Sequence, residues 1–80
     1  MTTLRPGMYV RLTTGNPDYP YENRICVVDG LPNGQVRRYR GLSSGAVALK
    51  LCSKRDPSVI TAKLLWEHES AFVALDRDVH

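Results

Sequence analysis

Apolar and polar side chains alternate along several short stretches of this 80-residue chain, and turn-forming residues separate one stretch from the next. From Met8 to Thr13, Met8, Val10 and Leu12 interleave with Tyr9, Arg11 and Thr13, and a period of two sends the two sets to opposite faces of a strand. Arg24 to Asp29 carries the β-branched Ile25, Val27 and Val28, which suit a pleated strand better than a helix of that length. Two turns follow at once, Asp29-Gly30 and Pro32-Asn33-Gly34, and predict that Gln35 to Arg40 runs back against the preceding strand as a hairpin. Ala46 to Cys52 sets Val47, Leu49 and Leu51 on one face, and Val59 to Glu67 sets Ile60, Ala62, Leu64 and Trp66 on one face, with Trp66 expected in the core. Ala71 to Leu75 is expected as a last strand and Asp76 to His80 as a closing turn.

Two of these stretches also fit short helices. Ala, Leu and Lys in Ala46–Cys52 are good helix formers behind a Ser43 or Ser44 cap, so a helix within 43–52 is an alternative. Asp56-Pro57 matches an N-cap followed by proline at the first helical position, which opens the same alternative within 56–67. Against that stand Val59, Ile60 and Thr61, three consecutive β-branched residues that lose side-chain freedom in a helix. Between the first two strands, Gly15, Pro17 and Pro20 mark Thr13–Asn23 as a long loop or a frayed hairpin tip.

Pro6-Gly7 leading into Val10, Arg11 and Leu12, with Gly15 after them, opens the chain; Val73, Ala74, Leu75 and Val79 close it. With a central hairpin between, this order resembles the SH3-like small β-barrels of bacterial and phage proteins. The resemblance implies an all-β or mainly β domain, a barrel of five to six short antiparallel strands, in which a short 3₁₀ turn often adjoins the last strand. The proline-rich Thr14–Asn23 loop and the long Ser53–Ser58 turn depart from that shape. Barrels of this kind serve protein binding, nucleic-acid binding and structural roles, so the shape does not choose a function.

One domain over residues 1–80 is all this length supports, and its core must be thin. No run approaches the roughly 18 apolar residues that cross a bilayer, and Met1–Met8 lacks the apolar stretch of a secretory signal, so a cytoplasmic protein without a membrane partner is expected. In such a reducing compartment Cys26 and Cys52 stay thiols. Their spacing from His68 and His80 matches no zinc-binding pattern, and no nucleotide or metal motif is present, so no cofactor is expected. Cys52, His68 and Asp76 are the ingredients of a thiol nucleophile, but no local motif joins them, and an enzyme is the weakest reading.

Charge is unevenly spread. Residues 1–36 carry three basic and three acidic side chains, residues 37–63 seven and one, and residues 64–80 one and four. Arg37, Arg38 and Arg40 surround Tyr39, and Lys54-Arg55 sits in a turn; together they are candidates for phosphate contacts with Tyr39 as a stacking ring. The bland account is a solvated arginine strand. The leading expectation is a small interaction or assembly module that binds a protein partner or itself. Its contact candidates are Tyr19 and Tyr21 on the proline-stiffened loop, with the acidic Glu67 and Glu69 opposing basic residues of a partner. The competing account of the two tyrosines is that they fold back over a thin core.

Overall fold

A computed structural model describes residues 3–41 and 45–78, the last three through their backbone. Ser43, Ser44, Val79 and His80 lie outside the described residues, as do the side chains of Asp76 and Asp78. Five strands form: β1 (Met8–Leu12), β2 (Ile25–Val28), β3 (Ala46–Cys52), β4 (Ile60–His68) and β5 (Phe72–Asp78). They pair antiparallel in a single sheet of order β4-β3-β2-β1-β5. Both stretches with a helical alternative are strands, in keeping with their alternation and with the β-branched run at the start of the second.

The expected barrel does not form. The sheet is open, with β4 and β5 as its two edges, and no ladder joins them among the described residues. The reason lies in the link between them. A hairpin turn would have kept β5 beside β4, whereas the 3₁₀ turn Glu69–Ala71 carries the chain to the free side of β1. There the Thr13 N–H donates to the Ala71 carbonyl at 2.8 Å, and β5 pairs from Leu12↔Phe72 to Met8↔Asp78 across one bulge. β5 thus extends through Asp78 where a closing turn was expected.

The central hairpin is also corrected. Gln35–Arg40 is not a strand on β2; it forms isolated bridges, Gly30↔Val36 and Arg38↔Val47. β2 is only four residues long and pairs with β3 from Leu49 to Leu51, which leaves the first half of β3 without a neighbour on that side. The 37–39 segment fills the gap: the Tyr39 N–H donates to the Ala46 carbonyl at 3.0 Å and the Ala48 N–H to the Arg37 carbonyl at 2.9 Å. Residues between loop outward, closed by the Leu31 N–H on the Gln35 carbonyl at 2.7 Å and by Gly34 at φ 83°, a left-handed turn position that glycine adopts freely.

The main core lies on one face of the sheet. Met8, Val10, Leu12, Cys26, Val28, Val47, Leu49, Leu51, Leu65 and Phe72 are buried there, with Leu4, Tyr19, Tyr21 and Val36 packed over them. On the other face Tyr9, Val27 and Cys52 form a smaller cluster with Ile25 and Leu75. Trp66 belongs to that second face, against expectation. The register Leu49↔Leu65 turns Leu65 into the main core, and Ala48↔Trp66 turns the indole the other way.

Candidate interaction surface

Three side chains meet on the second face at one end of β3 and β4. Arg38 and Val47 are cross-strand partners on the core side, so the neighbouring Arg37 and Tyr39 share the opposite side with Ala48 and Ala46. Trp66 stands across β3 from Ala48. Ala46 and Ala48 are buried, and their small side chains leave room above them for larger neighbours. The Tyr39 and Trp66 rings meet edge to face with centroids 5.5 Å apart, and the Arg37 guanidinium lies 5.4 Å from the indole centroid. Both rings remain open to solvent, Tyr39 at 46% and Trp66 at 37%. Gly41 lets the tyrosine ring settle, because a Cβ there would overlap it.

The arginines of this region are already engaged by carboxylates. Arg37 pairs with Asp29 at 3.4 Å and Arg38 with Glu69 at 3.3 Å. These are exposed pairs, so each contributes at most about 1 kcal/mol. Arg40 is exposed near the end of the segment. Lys54 and Arg55 sit in the turn beyond Cys52↔Ile60, whereas Tyr39 and Trp66 sit near Ala46↔His68. Six residues of β3 separate those ends, about 20 Å at a strand's rise of about 3.3 Å per residue. The basic residues named from the sequence therefore fall into two separate groups.

Tyr19 and Tyr21 are half-buried and lean over the main core, their rings edge to face at 5.6 Å. The Tyr19 hydroxyl donates to Glu67, and burial first, then that bond, raises its pKa above the ordinary phenol value. Glu67 is half-buried under this contact, and Glu69 is exposed on the 3₁₀ turn. The loop that carries the tyrosines is held by Glu22, whose carboxylate accepts from the Thr14 and Gly15 N–H groups at 3.0 Å each and from the Thr14 hydroxyl. The Thr14 hydroxyl bond, followed by the two backbone donors, lowers the Glu22 pKa.

The ingredients of a thiol nucleophile do not assemble. Cys52 and His68 lie at opposite ends of the β3–β4 ladder, and the Asp76 side chain lies outside the described residues. Both cysteines are buried thiols, on opposite faces of the sheet. Burial pushes the Cys26 thiol up to about 12, away from the thiolate range in which cysteine attacks. Among the described residues no three His, Cys, Asp or Glu side chains group as metal ligands, and no helix is long and apolar enough to cross a membrane.

Trp66 is the member of the surface that the sequence reading placed elsewhere. A signal was available in Ala46-Val47-Ala48, two small residues on one strand face that leave room for a ring, and in Gly41 two positions after Tyr39. Comparison with protein-family models, curated proteins and solved structures finds no match for this chain.

Proposed function

We propose that this protein is a small, non-catalytic interaction module that takes a protein segment on the Tyr39–Trp66–Arg37 surface. The observation that carries the reading is the exposed aromatic pair with a guanidinium on the indole. Trp, Tyr and Arg are the residue types that dominate binding energy at protein interfaces, because they offer large, stiff contact area with polar tips. The Arg37 guanidinium on the indole, with the exposed Arg40 near the end of the same segment, favours a partner segment that combines apolar side chains with carboxylates. Two buried cysteine thiols suit a reducing compartment, and with it the cytoplasm.

Nucleic acid is the alternative. Exposed rings beside arginine can stack bases. It is less well supported, because Arg37 and Arg38 are held by Asp29 and Glu69 and because Lys54 and Arg55 stand at the far end of the ladder. Phosphate binding needs cations that converge on one track.

A photoreactive phenylalanine analogue at position 39, irradiated in the source cells, tests the choice, with the same group at position 55 as the control. A discrete protein adduct from position 39 that disappears with Trp66→Ala is the expected result. A nuclease-sensitive adduct would transfer the surface to nucleic acid, and equal labelling from both positions would remove its special status.

A further inference from the structure

We infer that β4 pairs with β4 of a second copy of this chain, antiparallel about a two-fold axis at Leu65. The inference rests on the edge strand and not on the aromatic surface. β4 is nine residues long and forms one border of the sheet, its ladder to β3 regular from Leu64 to His68 and broken by a bulge between Leu64 and Ile60. Its hydrogen-bonding groups are placed by those of β3. The Ala48 N–H donates to the Arg37 carbonyl, and the Ala48 carbonyl accepts from the Asp29 N–H at 2.9 Å, so both groups of Ala48 point away from β4. Val47 and Leu49 alternate with it and point toward β4, which makes Val47↔Glu67 and Leu49↔Leu65 the bonded pairs. Leu64, Trp66 and His68 therefore present their N–H and C=O groups to the open side, where no bond to them is made among the described residues. A long exposed edge with apolar side chains is a template for another strand.

Charge selects the partner and the register. A two-fold pairing must match the outward residues with one another, which leaves few registers. With Leu65 opposite Leu65 of the second copy, Trp66 faces Leu64, and Lys63 faces Glu67 on each side of the axis. Lys63 on an edge strand ordinarily resists pairing with an unrelated chain. Here it meets an opposite charge twice over. Sliding so that Leu64 meets Leu64 sets Lys63 against Leu65, and sliding the other way sets it against Glu69, which lies beyond the strand and is held by Arg38. The strand is thus complementary to itself in one register. The same pairing brings two Trp66–Tyr39 surfaces to one side of a ten-stranded sheet.

Sedimentation or light scattering over a concentration series reads the mass directly, and Trp66, the single tryptophan, reads the contact through its emission. The expected result is a doubling of mass with a blue shift of Trp66, as Leu64 of the second copy covers the indole. Lys63→Glu and Glu67→Lys each place like charges opposite one another and should weaken the dimer roughly tenfold or more. An equimolar mixture of the two variants should dimerise again, since every cross-strand pair then joins opposite charges. Tyr39→Ala, which disables the aromatic surface, should leave the dimer intact, so the two proposals can fail separately. A protein monomeric throughout the series overturns the inference, as does a Lys63→Glu variant that dimerises like the parent. Open-ended polymers overturn it too, in favour of β4 on β5. Glu67 also holds Tyr19; if Glu67→Lys fails to fold, the exposed Lys63→Glu decides alone.

Discussion

Glu22, half-buried at the end of its loop, has a structural task. Its carboxylate gathers two backbone N–H groups and a hydroxyl from the other end of the loop, which fixes the loop whose tyrosines cover the core. Its folded pKa lies below the ordinary 4.5, so its contribution is fully present above that value and fades as pH falls through the folded pKa. Acid titration followed by tyrosine fluorescence should therefore show the loop loosening below about pH 4.5, and Glu22→Gln should abolish that step. A variant with the parent's acid profile would remove Glu22 from this role. Such a staple was hard to read in the sequence, because its partners lie seven and eight residues away and meet only once the loop closes. The thiols were easier: small apolar residues without a ligand pattern are buried in this fold, and Cys26 and Cys52 are.

Among the elements, the strands were legible where burial was uneven between faces. Ala46–Cys52 appears at the expected limits because Val47, Leu49 and Leu51 all enter one core. Gln35–Arg40 misled, because its turns are real but it bonds back only to residues 29–31 just past β2 and then passes to β3, a choice set by the shortness of β2 and invisible to local pattern. Trp66 misled for a related reason. The alternation placed it with Ile60, Ala62 and Leu64 correctly, but only the pairing with β3 decides which face is the inner one. The aromatic surface then depends on Gly41, and this gives a narrow test. Gly41→Ala should push the Tyr39 ring off Trp66, shifting the tryptophan emission to the red while the melting temperature stays close to the parent's. An unchanged spectrum would mean that the ring does not need the bare Cα.

For the molecule as a whole, a thin two-sided sheet concentrates stability in few side chains. A domain of this size has about 4 to 12 kcal/mol in all. Leu49 is fully buried at the crossing of β3 with the main core, so Leu49→Ala should remove about 2 to 5 kcal/mol. Val73→Ala, on the outer face of β5 and half exposed, should remove less than about 1 kcal/mol. Urea denaturation of the two variants checks the contrast, and equal losses would mean that the second face is better covered than its exposure suggests. The mainly β character and the positions of the five strands could be foreseen from the chain, whereas the open sheet could not, because closure turns on where the 3₁₀ turn sends β5. That placement has a further consequence. β1 is the earliest strand of the sheet in chain order and sits between β2 and β5, the latest, so its second neighbour does not exist until residues 72–78 have been synthesised. Until they clear the ribosome, Val10 and Leu12 wait for Ala74 and Phe72, and the nascent chain must be kept from pairing that bare edge with something else.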